Sequence, residues 1–118
     1  MEDCIFCKIA RGEIRPSLIL ENDEVIAFDD VNPQTPVHSL VIPKKHYYNL
    51  SDPVPGHTLA AIFEAVREVA RIKGVEQTGY RVIVNNGPDA NQTVEHLHVH
   101  VMGGVRMSHG MVNLASES

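Results

Sequence analysis

The stretch EHLHVHVMGG, residues 95–104, constrains this chain more than any other. Imidazoles occupy every second position, with aliphatic side chains between and after them. In an extended strand successive side chains point to opposite faces, so His96, His98 and His100 share one face and Leu97, Val99 and Val101 the other. The aliphatic face predicts a strand laid on a core. Burying three imidazoles costs free energy unless they are hydrogen-bonded, so the histidine face is expected to open on a cleft. Neighbours on that face lie about 6.5–7 Å apart, so one phosphate-sized group can touch two or three of them.

The rest of the chain supplies the elements that such a strand needs. Residues 4–11 read as a short helix with Cys4 and Cys7 on one face, ended by Gly12. Residues 17–20 and 24–30 read as strands around the turn-forming Glu21-Asn22-Asp23. A loop held open by Pro33 and Pro36 precedes a strand at 38–43, stopped by Pro43. Residues 57–73 carry a helical period, with Leu59, Ile62, Phe63, Val66, Val69 and Ala70 in one stripe and Gly74 as terminator. A strand at 80–84, a polar loop at 85–93 and the histidine strand at 96–102 complete the order. Strands outnumber helices and do not alternate with them. The expected fold is therefore α+β: a mainly antiparallel five-stranded sheet with one short N-terminal and one long helix.

At 118 residues the chain matches a single domain over 1–118. Fifteen acidic side chains against ten basic ones give a net charge of -5. With no dense basic run, binding of a nucleic-acid polymer lacks its electrostatic driver, whereas a single nucleotide needs only a small patch. The acidic start has no apolar run of the kind that directs secretion, and nothing is long enough to span a membrane. Cys4 and Cys7, three residues apart, suit a metal pair or two buried thiols better than a structural disulfide. The expected location is the reducing cytoplasm.

Three readings of the histidine strand follow from its residues alone. It is a polar surface, or a metal site built on His-x-His, or a nucleophilic site at phosphorus. In the last, one neutral imidazole attacks and its neighbours stabilise charge. The loop NNGPDANQT, residues 85–93, supplies turn positions and backbone N–H groups suited to a phosphate. His38 opens another strand.

The segment HLHVHVMGG resembles the signature of the histidine-triad (HIT) nucleotide hydrolases and transferases. CIFCKIARGEI, AFDDVNPQTPVHSLVIPKKH and GYRVIVNNGPDANQTVEHLHVHVMGG resemble the Hint branch, the purine nucleoside phosphoramidases, and together cover most of the chain in order. The resemblance implies that His98 is the nucleophile. It would attack the α-phosphorus of a purine nucleoside 5′-phosphoramidate, expel an amine, and hold the nucleotide until water releases AMP or GMP. His100 and His38 would stabilise the phosphate oxygens, with Thr93 near the leaving group, Gln92 beside it and Asn85 on the phosphate. Asp30 would take the ribose hydroxyls, and Val31 with Ile19 or Leu20 would sandwich the base. His96 is left an orienting or metal role.

By the same resemblance the protein is a homodimer that needs no cofactor for catalysis. Some bacterial relatives hold a structural zinc at the positions of Cys4, Cys7, His46 and His96. Two departures bear on this. Asn91 stands where glycine is frequent, and the tail from Val105 lacks the tryptophan of animal relatives, leaving His109 as a candidate local substitute. The competing functions are a dinucleoside polyphosphate hydrolase, a nucleotide-binding regulatory module, and a zinc hydrolase with His96 and His98 as ligands.

Overall fold

The computed structural model describes residues 3–109. In chain order the elements are α1 (Ile5–Ala10), β1 (Leu18–Glu21), β2 (Val25–Asp29), β3 (Val37–Pro43), α2 (Gly56–Ile72), β4 (Tyr80–Ile83), a 3-10 turn (Pro88–Ala90) and β5 (Val99–Gly103). The strands form one sheet in the order β1-β2-β3-β5-β4, and every neighbouring pair is antiparallel. This is the expected α+β architecture, with one short and one long helix.

Alternation along the strands sorts the sheet into two faces. Val25 and Ala27 of β2, Val41 of β3, and Val99 and Val101 of β5 pack under α2 against Ile62, Ala65, Val66 and Val69. The residues between them, Ile26 and Phe28, Leu40 and Ile42, face the other way and meet Phe6 and Ile9 of α1. Leu97, Val99 and Val101 lie in the α2 core, as the alternating stretch predicts. His100 pairs across β3 with Leu40 and across β4 with Ile83, which places it on the α1 face.

Two expectations need correction. The strand expected over 96–102 is paired only from Val99, because the ladder with β3 ends at the Val41–Val99 pair. Beyond it, the Leu97 N–H donates to the Tyr47 carbonyl at 2.7 Å instead of to β3. His96 and His98 therefore sit on extended chain just before the strand. The α2 stripe is also rotated. Thr58, Ile62, Ala65, Val66, Val69 and Ala70 are buried, whereas Phe63 is 43% exposed. Each residue turns the helix by about 100°, so Phe63 falls off a stripe centred on Ile62.

Ile62 has no solvent exposure. Ile62→Ala should destabilise the fold by about 2–5 kcal/mol through lost burial and the cavity left behind, measured by urea unfolding.

Candidate active site

His98 is held by the chain that precedes it. Its Nδ1 lies 2.7 Å from the carbonyl oxygen of His96. A carbonyl only accepts, so Nδ1 carries the ring's proton and Nε2 keeps a free lone pair. Burial lowers the pKa of His98 below its ordinary value, against the raising effect of that bond. A buried, neutral imidazole with one nitrogen anchored and the other unprotonated is the form a nitrogen nucleophile requires.

The histidine face does not open on a cleft as expected. His96 is 0% and His98 5% exposed. Phe6 of α1 covers both, with ring centroids 5.9 and 5.2 Å away in edge-on packing. Burial is tolerated because each ring gives its N–H to a backbone carbonyl, His98 to His96 and His96 Nε2 to Pro43 at 2.9 Å. His100 is half-buried beside them.

His38, the second residue of β3, completes a directed relay. The Gln34 N–H donates to His38 Nδ1 at 2.9 Å, so the His38 proton is on Nε2. His38 Nε2 lies 2.9 Å from His100 Nδ1 and donates to it. The His100 proton is thereby assigned to Nε2, a buried atom with no partner among the described residues. Such an orphaned donor is expected where a ligand oxygen belongs. Desolvation pushes the pKa of His100 down to about 4, so it donates from a neutral ring. Asp30 both caps and faces this group. Its Oδ1 accepts from the Asn32 N–H at 2.9 Å, and its Oδ2 stands 3.4 Å from His38 Nε2.

The remaining anticipated residues divide. Asn85 follows Ile83, the partner of His100, by two positions and is half-buried on that side of the chain. Val31 is 86% exposed after β2. Thr93 is exposed on the wall of a cavity of about 610 Å³ shared with Cys4, His46 and Tyr48. The Gln92 amide braces its own loop: Oε1 accepts from Gly87 N–H at 2.8 Å, and Nε2 donates to the Tyr48 and Val94 carbonyls. That loop is less open to an anion than expected, because the Gly87, Asn91 and Gln92 N–H groups are all bonded within it. Asn91 adopts φ 61°, the left-handed conformation for which Asn substitutes tolerably for glycine.

Ile19 and Leu20 are a correction. Both pack against the α2 core, on the face of the sheet opposite His100. A bulge between Leu18 and Leu20 shifts the register there. The apolar group packed on the histidines is instead Phe6, which clusters with Ile9 and Phe28. Their signal was present as the i, i+3 spacing of Phe6 and Ile9 on α1. Gln34 and Pro43 act through backbone atoms and leave no side-chain signal. Of the tail, His109 is exposed, and residues 110–118 lie outside the described residues.

A second cluster lies on the other side of His96. Because His96 Nε2–H is bonded to Pro43, its Nδ1 presents a lone pair, 3.3 Å from Cys4 Sγ, 3.5 Å from Cys7 Sγ and 3.2 Å from His46 Nδ1. Cys7 Sγ is 3.1 Å from His46 Nδ1. A tetrahedral centre with bonds of about 2.0–2.1 Å to nitrogen and 2.3 Å to sulfur keeps its donors roughly 3.3–3.8 Å apart. The four donors fit a zinc-like cation by type and by spacing. Two ring nitrogens 3.2 Å apart also need a proton or a cation between them. Burial, reinforced by Cys4, raises the Cys7 pKa, so a metal would have to displace its thiol proton.

His98 belongs to neither group of donors that converges within 4.8 Å, Cys4/Cys7/His46/His96 or Asp30/His38/His100. The zinc-hydrolase arrangement, with His96 and His98 on one ion, is thus not the geometry of this site. In the second group the Gln34 N–H keeps the His38 proton on Nε2, where a cation would need a lone pair.

A sheet backed by one long helix, carrying a buried triad of imidazoles with fixed protons, defines a histidine-triad domain. The chain belongs to the HIT domain family, which matches residues 11–107. It is 47% identical over 106 residues to an HIT-like protein of Azospirillum brasilense, covering 87% of each chain. It is 40% identical over 105 residues to the protein HitA of Neisseria gonorrhoeae, covering 87% of this chain and 97% of that one. Among solved structures it resembles a HIT family hydrolase from Clostridium thermocellum, with TM-score 0.90 and 41% identity over 95% of this chain and 99% of that one. A histidine triad protein from Clostridium difficile gives TM-score 0.87 and 45% identity over 94% and 98%. No helix among the described residues is long and apolar enough to cross a membrane.

Desolvation lowers the pKa of His96 to about 4. The unfolded chain takes up this proton near pH 6.5 while the folded one does not, so stability is lost as pH falls from about 6.5 towards 4. In the metal-free protein His96 alone should account for a loss of about 2 kcal/mol, read from urea unfolding at pH 7 and pH 4.5. Stability independent of pH over that range would contradict the buried, neutral assignment.

Proposed function

We propose that this protein is a nucleotide hydrolase that cleaves the P–N bond of purine nucleoside 5′-phosphoramidates through a nucleotidyl-histidine intermediate. The observation that carries the reading is the anchored Nδ1 of His98, which leaves Nε2 as a buried, neutral nucleophile. Nε2 attacks the α-phosphorus as the bond to the amine nitrogen breaks. The amine takes a proton from solvent at the mouth of the site and leaves as a neutral molecule; water then adds to phosphorus as the P–N bond to His98 breaks, returning a proton to solvent, releasing AMP or GMP and restoring the ring.

The other groups take supporting parts. The His100 Nε2–H, unpartnered among the described residues, would meet a phosphoryl oxygen, and His38 keeps it a donor. Asn85 lies on the phosphate side and Asp30 on the ribose side. Thr93 stands towards the leaving group, and Gln92 holds the loop that carries it. Phe6, Ile9 and Phe28, with Val31, provide the apolar wall for the base. Zinc, if bound by Cys4, Cys7, His46 and His96, is structural and supplies a rigid cross-link.

The same reading includes a homodimer in the cytoplasm. Phe63 on α2 and Val82 on the edge strand β4 are large, exposed apolar groups that a second copy would cover. The net charge of -5 argues against a nucleic-acid polymer as ligand.

The test is hydrolysis of adenosine 5′-phosphoramidate beside a diadenosine polyphosphate. AMP release from the phosphoramidate should be lowered about 10³-fold or more in His98→Gly. Acid quenching of the wild-type reaction should trap an adenylylated protein. Wild-type rates in His98→Gly would overturn the mechanism, preference for the polyphosphate would move the substrate class, and AMP binding without turnover would make the protein a binding module. Since burial lowers the His98 pKa, the acid limb of kcat/KM should fall below pH 6.5.

A further inference from the structure

We propose that the Cys4, Cys7, His46 and His96 cluster is a positioning device for the nucleophile, with His96 as the residue through which it acts. The inference rests on the reading of His98 as nucleophile. It goes beyond that reading by giving a second cluster control of His98 competence.

The coupling is visible atom by atom. The backbone carbonyl of His96 accepts the Nδ1–H of His98 at 2.7 Å and decides which His98 nitrogen is free. The ring of the same residue is fixed from two sides. Nε2 is tied to the Pro43 carbonyl at the end of β3, and Nδ1 faces Cys4, Cys7 and His46 at 3.2–3.5 Å. His96 precedes the paired part of β5, so no strand ladder holds its backbone. The carbonyl is held by the Leu97 N–H of the same peptide, bonded to the Tyr47 carbonyl next to His46, and by the ring, which the cluster holds on its Nδ1 side.

The donors come from three parts of the chain. Cys4 and Cys7 lie at and inside α1, His46 follows β3, and His96 precedes β5. A cation at their centre would join these segments by four bonds. The same helix carries Phe6, packed edge-on against His98 at 5.2 Å. Loosening of α1 would therefore free the nucleophile's ring on its packed face as well as on its bonded nitrogen. Thr93 shares a cavity wall with Cys4 and His46, so the leaving-group side of the site borders the cluster too.

The experiment uses the whole chain, with zinc as the probe. Zinc content is measured on the wild type as purified, after chelation, after zinc is restored, and on Cys4→Ser. Cys4 is chosen because it is half-buried, whereas Cys7 is buried in the core of α1 and its variant is liable to misfold. For each sample the His98 tautomer is read from the nitrogen chemical shifts of histidine-labelled protein, and kcat and KM are measured separately on adenosine 5′-phosphoramidate.

The expected result is one zinc per chain and a single His98 tautomer with its proton on Nδ1. After chelation or in Cys4→Ser, the tautomers mix and kcat falls about tenfold, the lower end of what loss of an outer support costs. KM changes less than twofold, and adenylylated protein still forms, because the ion touches no substrate atom. Zinc restores the chelated wild type and not Cys4→Ser. An unchanged tautomer and kcat after zinc removal would overturn the proposal, as would a wild type that binds no zinc. If the tautomer shifts with zinc but no phosphoramidate is hydrolysed, the positioning stands and the proposed activity fails.

Discussion

The bond on which the site depends is the one from His98 Nδ1–H to the carbonyl oxygen of His96. It joins two residues two apart in sequence, and its length of 2.7 Å suits a desolvated pair. It explains how an imidazole can be 5% exposed without an unmet polar group on that nitrogen, and why Nε2 is the atom left to react. It also requires extended chain at this point. The β3–β5 ladder stops just short of it, so the His96 carbonyl is turned to a side chain instead of to a neighbouring strand.

Both sheet faces contribute, in different ways. Under α2 the packing over β2, β3 and β5 is mainly aliphatic, with Tyr47 beside it, and serves stability. Over the opposite face the sheet meets the short helix α1, and the apolar cluster there merges with the imidazoles through Phe6. An aromatic edge laid on a ring excludes water without competing for its hydrogen bonds. That is how the site combines low solvent access with fixed protons on His38, His98 and His100.

Much of the architecture was legible because the period-2 alternation of residues 96–101 and the helical period of 57–73 are strong local signals. The triad face follows from alternation, and the nearness of His38 to it came from the resemblance. The resemblance added Asp30, Asn85 and the four thiol and imidazole donors. What escaped is instructive. Ile19 or Leu20 was carried over by the resemblance as a base contact, whereas both pack against the α2 core beside a bulge in β1 that leaves no mark in the sequence. Phe63 was placed in the core because a stripe drawn from apolar residues ignores small and polar ones such as Thr58 and Ala65 that a tight helix–sheet contact favours. The burial of His96 and His98 was missed because their partners are the carbonyls of His96 and Pro43, and any residue could supply a carbonyl.

The relay from Gln34 through His38 to His100 has a direction. A backbone amide at its far end gives a hydrogen bond and never its proton, so the line is a dead end for proton traffic. If His100 released its Nε2 proton, His38 could follow by one step, but the Gln34 amide behind His38 could not refill it. Any proton that His100 loses in a turnover must come back through the mouth of the site, from the solvent or the departing product. The back of the site is thus electrically stiff: it sets where protons rest and takes no part in moving them.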